Sequence, residues 1–204
     1  MKTLKIACLA LLPTLFAAQT TKAQEFKNVL LGSWNIGLPM NSDYLTKTSF
    51  AGFRVDYRRF IKPNLSVGFS TGWQSFEQYF DTQSYNSSDG NTTVTTDMYR
   101  IVYNVPFMVN AHYYFDAGKY VKPYAGFGIG CMYSEQTAYF NIYELDDNGM
   151  GFAIRPEIGA LINISDQFIG NVGFNYQFAT NKSDFFNINS LSELDIQIGV
   201  GFRF

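Results

Sequence analysis

The last eleven residues, Leu194–Phe204, read LDIQIGVGFRF. Apolar side chains at the even positions alternate with Asp, Gln, Gly and Arg at the odd positions. Because successive side chains of a β-strand point to opposite faces of a sheet, this period of two places every apolar residue of the stretch on one face. The stretch therefore predicts a β-strand with one apolar and one polar face.

The same alternation recurs along the chain and predicts eight strands. The predicted strands cover residues 28–38, 49–61, 64–76, 98–115, 121–134, 151–164, 168–178 and 194–204. Longer connections rich in Ser, Thr, Asn and Asp are predicted at 39–48, 77–97, 135–150 and 179–193. Short turns at one end and long loops at the other are typical of an up-and-down transmembrane barrel, whose chain ends lie on the periplasmic, short-turn side.

Alternation alone leaves open which face lies inside, since a soluble sandwich or a lipocalin-like barrel also alternates, with its apolar face inward. Here the polar face is mostly Gly, Ser, Asn and Gln, lysines lie in turns, loops and strand ends, and aromatic residues gather near strand ends. Only 16% of the residues are charged, against about 25% in an average soluble domain. We therefore expect an all-β, eight-stranded antiparallel up-and-down transmembrane β-barrel.

The amino-terminal segment has the features of a secretory signal peptide. A basic start, Met1–Lys5, precedes an apolar stretch at 6–18, and Thr21 and Ala23 supply small residues at positions −3 and −1 of a cleavage site. We expect a cleaved signal peptide at 1–23 and a barrel domain at 24–204, exported to the cell outer membrane. Three of the 15 basic residues lie in the signal segment, which leaves 12 against 17 acidic residues.

This composition excludes several function classes. An acidic mature chain has no basic field for nucleic acid, so we expect no nucleic-acid partner. One histidine and two cysteines supply few ligands for zinc, haem or iron–sulfur centres. We therefore expect no metal centre and no cofactor.

Four motifs carry a resemblance to a known family: NVP at 104–106, KPYAGFGIG at 122–130, RPEIG at 155–159 and GFRF at 201–204. With these motifs in this order, the chain resembles the outer-membrane protein β-barrel domain family of small OmpA- and OmpX-like eight-stranded barrels, in a porin-family form common in Bacteroidota. The resemblance implies an integral protein of the Gram-negative outer membrane, in contact with membrane lipid and lipopolysaccharide.

The resemblance also implies how the barrel reaches the membrane. Family members are inserted by the barrel-assembly machinery, which recognises a carboxy-terminal signal, and the matching residues here are Val200, Phe202 and Phe204. The resemblance implies no catalytic activity, because the family includes many barrels to which none is assigned.

Charged residues on the predicted inner face fall on the even-numbered strands. The lumen of an eight-stranded barrel is about wide enough for side chains to fill, and buried charges must pair with one another. We therefore predict a lumen charge network formed by Arg54, Asp56, Arg58, Arg155, Glu157 and Asp195. We interpret it as a plug that sets strand register; an ion-selecting constriction around a water path is the alternative.

Two prolines, Pro106 and Pro156, fall inside predicted strands. Proline cannot donate a backbone hydrogen bond and is normally confined to edge strands or bulges. We therefore expect a β-bulge at each proline.

The candidates for chemistry are few. His112 is the single histidine and is predicted to face the lumen near the short-turn end, and the sequence has no Gly-x-Ser-x-Gly motif. We expect a non-catalytic protein with a structural or surface-interaction role. A narrow porin-like channel for ions or small solutes is the alternative, and a lipid-modifying outer-membrane enzyme is a third hypothesis.

The predicted long loops are acidic and carry only two lysines, Lys47 and Lys182. Their acids are Asp43, Glu77, Asp81, Asp89, Asp97, Glu135, Glu144, Asp146, Asp147, Asp184 and Glu193. We interpret these loops as a solvated crown. Because aromatic and polar residues are mixed in them, loops 77–97 and 135–150 are also candidate contacts for an extracellular partner.

Overall fold

The computed structural model of this chain describes residues 27–40, 44–86, 93–116, 118, 120–140 and 143–204. The predicted signal peptide, together with Asp43 and Asp89 of the acidic loops, lies outside the described residues. Within the described ranges, no helix is long and apolar enough to cross a membrane.

Eight antiparallel strands form a closed barrel in which each strand pairs with its neighbours in the chain. The strands are β1 Asn28–Met40, β2 Ser49–Lys62, β3 Leu65–Asn86, β4 Thr93–Tyr114, β5 Val121–Phe140, β6 Tyr143–Asn163, β7 Phe168–Ala179 and β8 Leu191–Arg203. The ring closes where β1 pairs with β8, with Leu30 opposite Phe202 and Ile36 opposite Ile196. The predicted eight-stranded up-and-down barrel is confirmed.

The two barrel ends differ in shape. Tight connections join the strands at the end where β1 begins and β8 ends, which we call the turn end; the opposite end is the loop end. Strands β3 to β6 contain 20 to 22 residues, whereas the other four contain 12 to 14. Since about 9–11 tilted residues span a bilayer, β3 to β6 project well beyond the others at the loop end.

This projection corrects two predictions. Most of the predicted loops 77–97 and 135–150 is paired strand, with Gln78 opposite Arg100 and Gln136 opposite Asp147. Their Ser, Thr, Asn and Asp content suggested loops, but in-register pairing satisfies the backbone over most of both hairpins.

Side-chain burial is inverted relative to a soluble barrel. Val109 and Ile158 are 60% and 61% exposed on the outer face, whereas Arg54 and Glu157 are 1% and 3% exposed on the inner face. The apolar face therefore points outward, and the polar face lines the lumen, as the sequence predicts for a barrel in a membrane.

The bulges predicted at the two prolines are wrong. The β4–β5 pairing runs without a shift through Pro106 opposite Met132, and the β5–β6 pairing runs through Phe127 opposite Pro156. On its other side each proline falls in a short gap in the pairing, after which the register resumes unchanged. A local loss of ladder bonds accommodates the missing N–H without an inserted residue.

Candidate functional site

The mid-lumen charge cluster consists of Arg54, Asp56, Arg58, Arg155 and Glu157. Arg54 Nη2 lies 2.6 Å from Asp56 Oδ1 and 2.8 Å from Glu157 Oε2. Arg58 Nη2 lies 3.5 Å from Glu157 Oε1, and Arg155 Nε lies 3.8 Å from Glu157 Oε2. Glu157 is thus the common partner of three guanidinium groups that reach it from β2 and from its own strand.

His112 joins this cluster from β4, because its Nε2 hydrogen-bonds the Glu157 carboxylate. Its ring packs edge-on against Tyr124, 5.4 Å between ring centroids. The histidine is fully buried. This position makes it part of the buried cluster.

Tyrosine, amide and serine side chains add further contacts to the terminal nitrogens of the arginines. Arg58 lies over the ring of Tyr124, 4.7 Å from the guanidinium carbon to the ring centroid. Arg54 Nη1 donates to Gln197 Oε1 at 3.1 Å, and Gln197 Nε2 donates to the Tyr124 hydroxyl at 3.2 Å. Arg155 donates to Ser70 Oγ and to Asn110 Oδ1. These bonds hold the three cations in fixed positions across the lumen.

Two glycines of β5 make room for the cluster. A Cβ atom at Gly126 would lie 2.5 Å from the His112 ring and 2.9 Å from Glu157 Cγ. A Cβ atom at Gly128 would lie 2.4 Å from Asn110 Oδ1. The inward glycines therefore allow long charged side chains from β2, β4 and β6 to meet inside a narrow barrel.

Asp195 is the one residue of the predicted network that the cluster does not include. It is buried on β8 opposite Asn175, but no ion pair within 4.0 Å involves it in the described part of the chain. Its neighbour Glu193, which the sequence placed in a solvated loop, is instead buried in the lumen and accepts from Gln177 Nε2 at 2.6 Å. The prediction that Glu193 belongs to the exposed acidic crown is wrong.

Apolar side chains fill the lumen on both sides of the charge cluster. Toward the turn end, the layer consists of Val29, Leu31, Tyr114, Tyr124, Leu161 and Ile169, with Phe60 against it. Toward the loop end, it consists of Tyr44, Leu45, Phe76, Val102, Met108, Met132, Ala153, Ala179, Ile188 and Leu191. The charged layer therefore lies between two layers rich in apolar side chains, and the loop-end layer also holds the buried Gln177 and Glu193.

Two connections, one between β1 and β2 and the other between β7 and β8, contact the inner face of the loop-end projection. The Tyr44 hydroxyl donates to the backbone carbonyl of Thr137 at 3.1 Å. Asn181 Nδ2 donates to Gly149 O at 3.1 Å, and Ser183 Oγ donates to the Asp147 carboxylate. The inner side of the projecting hairpins is thus covered by the protein's own chain, while their outer side is bare.

The outer side of the projection carries a row of tyrosines. Tyr79, Tyr99 and Tyr139 lie directly opposite one another on β3, β4 and β5, and Glu144 of β6 continues the row. Each ring hydroxyl donates to a carboxylate: Tyr79 to Asp97 at 3.2 Å, Tyr139 to Glu144 at 3.0 Å, and Tyr99 to Glu77. The hydrogen bond to Glu77 raises the pKa of Tyr99 to about 12.

The residues of the predicted assembly signal lie together at the turn end. Val200, Phe202 and Phe204 all point outward and are exposed. The Phe202 and Phe204 rings are stacked 6.4 Å apart, and the backbone of Phe204 exchanges two hydrogen bonds with Asn28. The last residue is therefore part of the seam that closes the barrel.

The comparisons with known proteins agree with this geometry. The model of the outer membrane protein beta-barrel domain family matches residues 7–204. The chain belongs to this family. As an outer-membrane β-barrel, it has an apolar outer belt that faces lipid, and the turn end, with its short connections, is the periplasmic end.

Solved structures show the same fold at low sequence identity. The crystal structure of Ail, the attachment invasion locus protein of Yersinia pestis, in complex with the heparin analogue sucrose octasulfate, is 16% identical with a TM-score of 0.55, covering 89% of this chain and 100% of that chain. Neisserial surface protein A is 13% identical with a TM-score of 0.56, covering 87% and 97%. A major outer membrane protein from Thermus thermophilus is 12% identical with a TM-score of 0.54, covering 87% and 99%. No curated protein sequence matches this chain.

The sequence analysis did not predict several residues that contact the charge cluster in this outer-membrane barrel. Tyr114, Tyr124 and Gln197 share the inward alternation of His112, Gly126 and Asp195, so the period-two signal was present for all three. Alternation identifies the inner face but not which inner residues touch, and charge alone selected the candidates.

Among the described residues, no group of three or more His, Cys, Asp and Glu side chains is placed to hold a metal ion. Glu144 and Asp147 instead accept hydrogen bonds from Tyr139 and Ser183.

Proposed function

We propose that this outer-membrane protein is a non-catalytic, closed barrel that presents its loop-end projection to the outside of the cell. The observation that carries this proposal is the packed lumen, in which a charge cluster centred on Glu157 lies between two layers rich in apolar side chains. A lumen filled in this way favours a structural or surface-interaction role over transport.

The location of His112 supports the non-catalytic part of the proposal. This histidine is buried beside Glu157 within the lumen, whereas a lipid substrate approaches from the outer face. A general base must lie within hydrogen-bond reach of the proton that it removes. In this position, His112 serves the packing of the cluster.

We expect the barrel, purified from outer membranes and inserted in a planar bilayer, to produce no discrete current steps. The physical reason is that ion passage requires a hydrated path, and layers rich in apolar side chains separate the charge cluster from both ends. Single-channel recording checks this, with a known porin as positive control. Reproducible steps from correctly folded protein would instead favour the narrow porin-like channel.

We further propose that Val200, Phe202 and Phe204 form the signal read by the barrel-assembly machinery. Deleting Phe204 is expected to reduce the amount of folded barrel in outer membranes severalfold while leaving spontaneous refolding in detergent largely intact. Refolding should persist because Phe204 lies at the edge of the seam, where it adds the last ladder bonds and ring contacts with Tyr57 and Phe202 on the exposed surface. Equal losses in cells and in detergent would show that Phe204 acts through stability and not through recognition.

A further inference from the structure

The tyrosine wall is the outer face of the loop-end projection, formed by Tyr79, Tyr99 and Tyr139 with the carboxylates that surround them. Those carboxylates are Glu77, Asp97, Glu135 and Glu144, each of which accepts a hydrogen bond from a tyrosine hydroxyl. The rings are accessible, with Tyr79 55% exposed and Tyr139 37% exposed. The wall stands beyond the apolar belt, so it meets water or another molecule and not lipid tails.

The wall has one sign of charge. Over the described residues, the outward positions on the projecting parts of β3 to β6 include no Lys or Arg. The basic residue nearest in the chain, Arg100, points to the opposite side, where it lies over the rings of Tyr44 and Phe80. An anionic surface repels the phosphates of lipopolysaccharide and attracts cations.

The tyrosine rings add a second attraction for the same kind of group. Lysine and arginine side chains bind favourably over the face of a tyrosine ring. The carboxylates between the rings have acceptor capacity beyond the bonds that they take from tyrosine hydroxyls and, at Glu77 and Asp97, from Ser75 and Thr96. A guanidinium or ammonium group can therefore contact a ring and a carboxylate at once.

The dimensions suit an extended polypeptide. Neighbouring strands lie about 4.8 Å apart, so the row from Tyr79 to Tyr139 spans about 10 Å. An extended chain places side chains on one face about every 7 Å. Two cations of one basic segment thus reach the wall together.

We propose that the tyrosine wall docks a basic polypeptide segment, whose lysine or arginine side chains lie over the tyrosine rings and pair with the carboxylates between them. The inference rests on the proposed surface-interaction role and gives it a partner class. Docking at the wall does not depend on whether the lumen conducts ions. A negative bilayer recording and a negative binding test therefore bear on different proposals, the first on the closed lumen and the second on the wall.

The test measures binding of a fluorophore-labelled arginine nonapeptide to the purified barrel in nanodiscs of zwitterionic phosphatidylcholine. The wall variant combines Glu77→Gln, Asp97→Asn and Glu144→Gln. The control variant removes the same number of charges at exposed positions off the wall, through Asp116→Asn, Asp166→Asn and Asp184→Asn. Fluorescence anisotropy gives Kd at low and at physiological ionic strength.

We expect the wall variant to weaken binding about tenfold, since each exposed ion pair contributes up to about fivefold. The control variant should change Kd by less than about twofold at physiological ionic strength, because distant exposed charges are screened. Unchanged binding in the wall variant, or equal weakening in both variants, overturns the proposal in favour of general electrostatic attraction.

A second pair of variants separates the rings from the charges. Replacing Tyr79 and Tyr139 with alanine should weaken binding about threefold to tenfold, because both cation–π contacts are lost. Replacing both with phenylalanine keeps the rings and the carboxylates, so Kd should stay within about twofold of the original. If phenylalanine weakens binding as much as alanine does, the rings are not the docking surface and the proposal is wrong.

Discussion

Replacing Glu157 with alanine is expected to lower the free energy of unfolding of the barrel by about 3–5 kcal/mol, the cost of removing one partner of a buried ion pair. Glu157 is the common partner of Arg54, Arg58 and Arg155 and also bonds His112. Among the described residues, Asp56 is then the one carboxylate that remains within 4.0 Å of these arginines. Urea-dependent unfolding in lipid vesicles, followed by tryptophan fluorescence, measures the loss.

Two controls make this result specific to the cluster. Glu144→Ala removes a carboxylate of the same type from the exposed projection and should change stability by less than about 0.5 kcal/mol. Glu157→Gln retains the size and part of the hydrogen bonding, so an intermediate loss is expected. An unfolding midpoint for Glu157→Ala equal to that of the unmodified barrel would contradict the structural role of the cluster.

The second large effect is expected on the outer face, where Val109→Arg should destabilise the membrane-inserted barrel by about 2–4 kcal/mol. Val109 is 60% exposed, lies between outward Phe107 and Ala111 on β4, and occupies the middle of the apolar belt. An arginine at this depth must desolvate its charge or distort the bilayer.

The matched control is Gln83→Arg, which places the same side chain at an exposed position of the β3 projection. Its effect should be within about 0.5 kcal/mol, because the side chain lies in water. The same urea titration measures both variants. Equal stability of Val109→Arg and Gln83→Arg would place the membrane boundary elsewhere on the barrel.

The limits of prediction differ between the strands. For β8, the alternation from Leu194 onward was sufficient to orient the strand and to place Phe202 outward. For β3 to β6, the predicted ends were short by as much as ten residues because the segments beyond Phe76 and Ser134 have the polar composition of loops. Their extended pairing depends on a partner strand far along the chain and on inner-face contacts such as that of Asn181 with Gly149.

The candidate site shows the same division. Period-two alternation assigned Arg54, Asp56 and Glu157 to the inner face, because side-chain direction in a strand depends only on parity. Asp195 was assigned to the network only because it is charged and inward-facing. In the folded barrel it lies opposite Asn175, whereas Arg54 pairs with Glu157. The depth of each residue along the barrel axis comes from strand register, which no local pattern encodes.

Local sequence determines that the barrel is inverted. The alternation within each strand gives it an apolar face long enough to contact lipid and a polar face rich in small residues. Closure of the lumen is decided only by tertiary structure. Arg54 and Glu157 are 103 positions apart in the chain and meet because the register of the strands around the closed ring brings them to one level. The tyrosine wall likewise exists only when β3, β4 and β5 pair, because each strand supplies a single ring to the row.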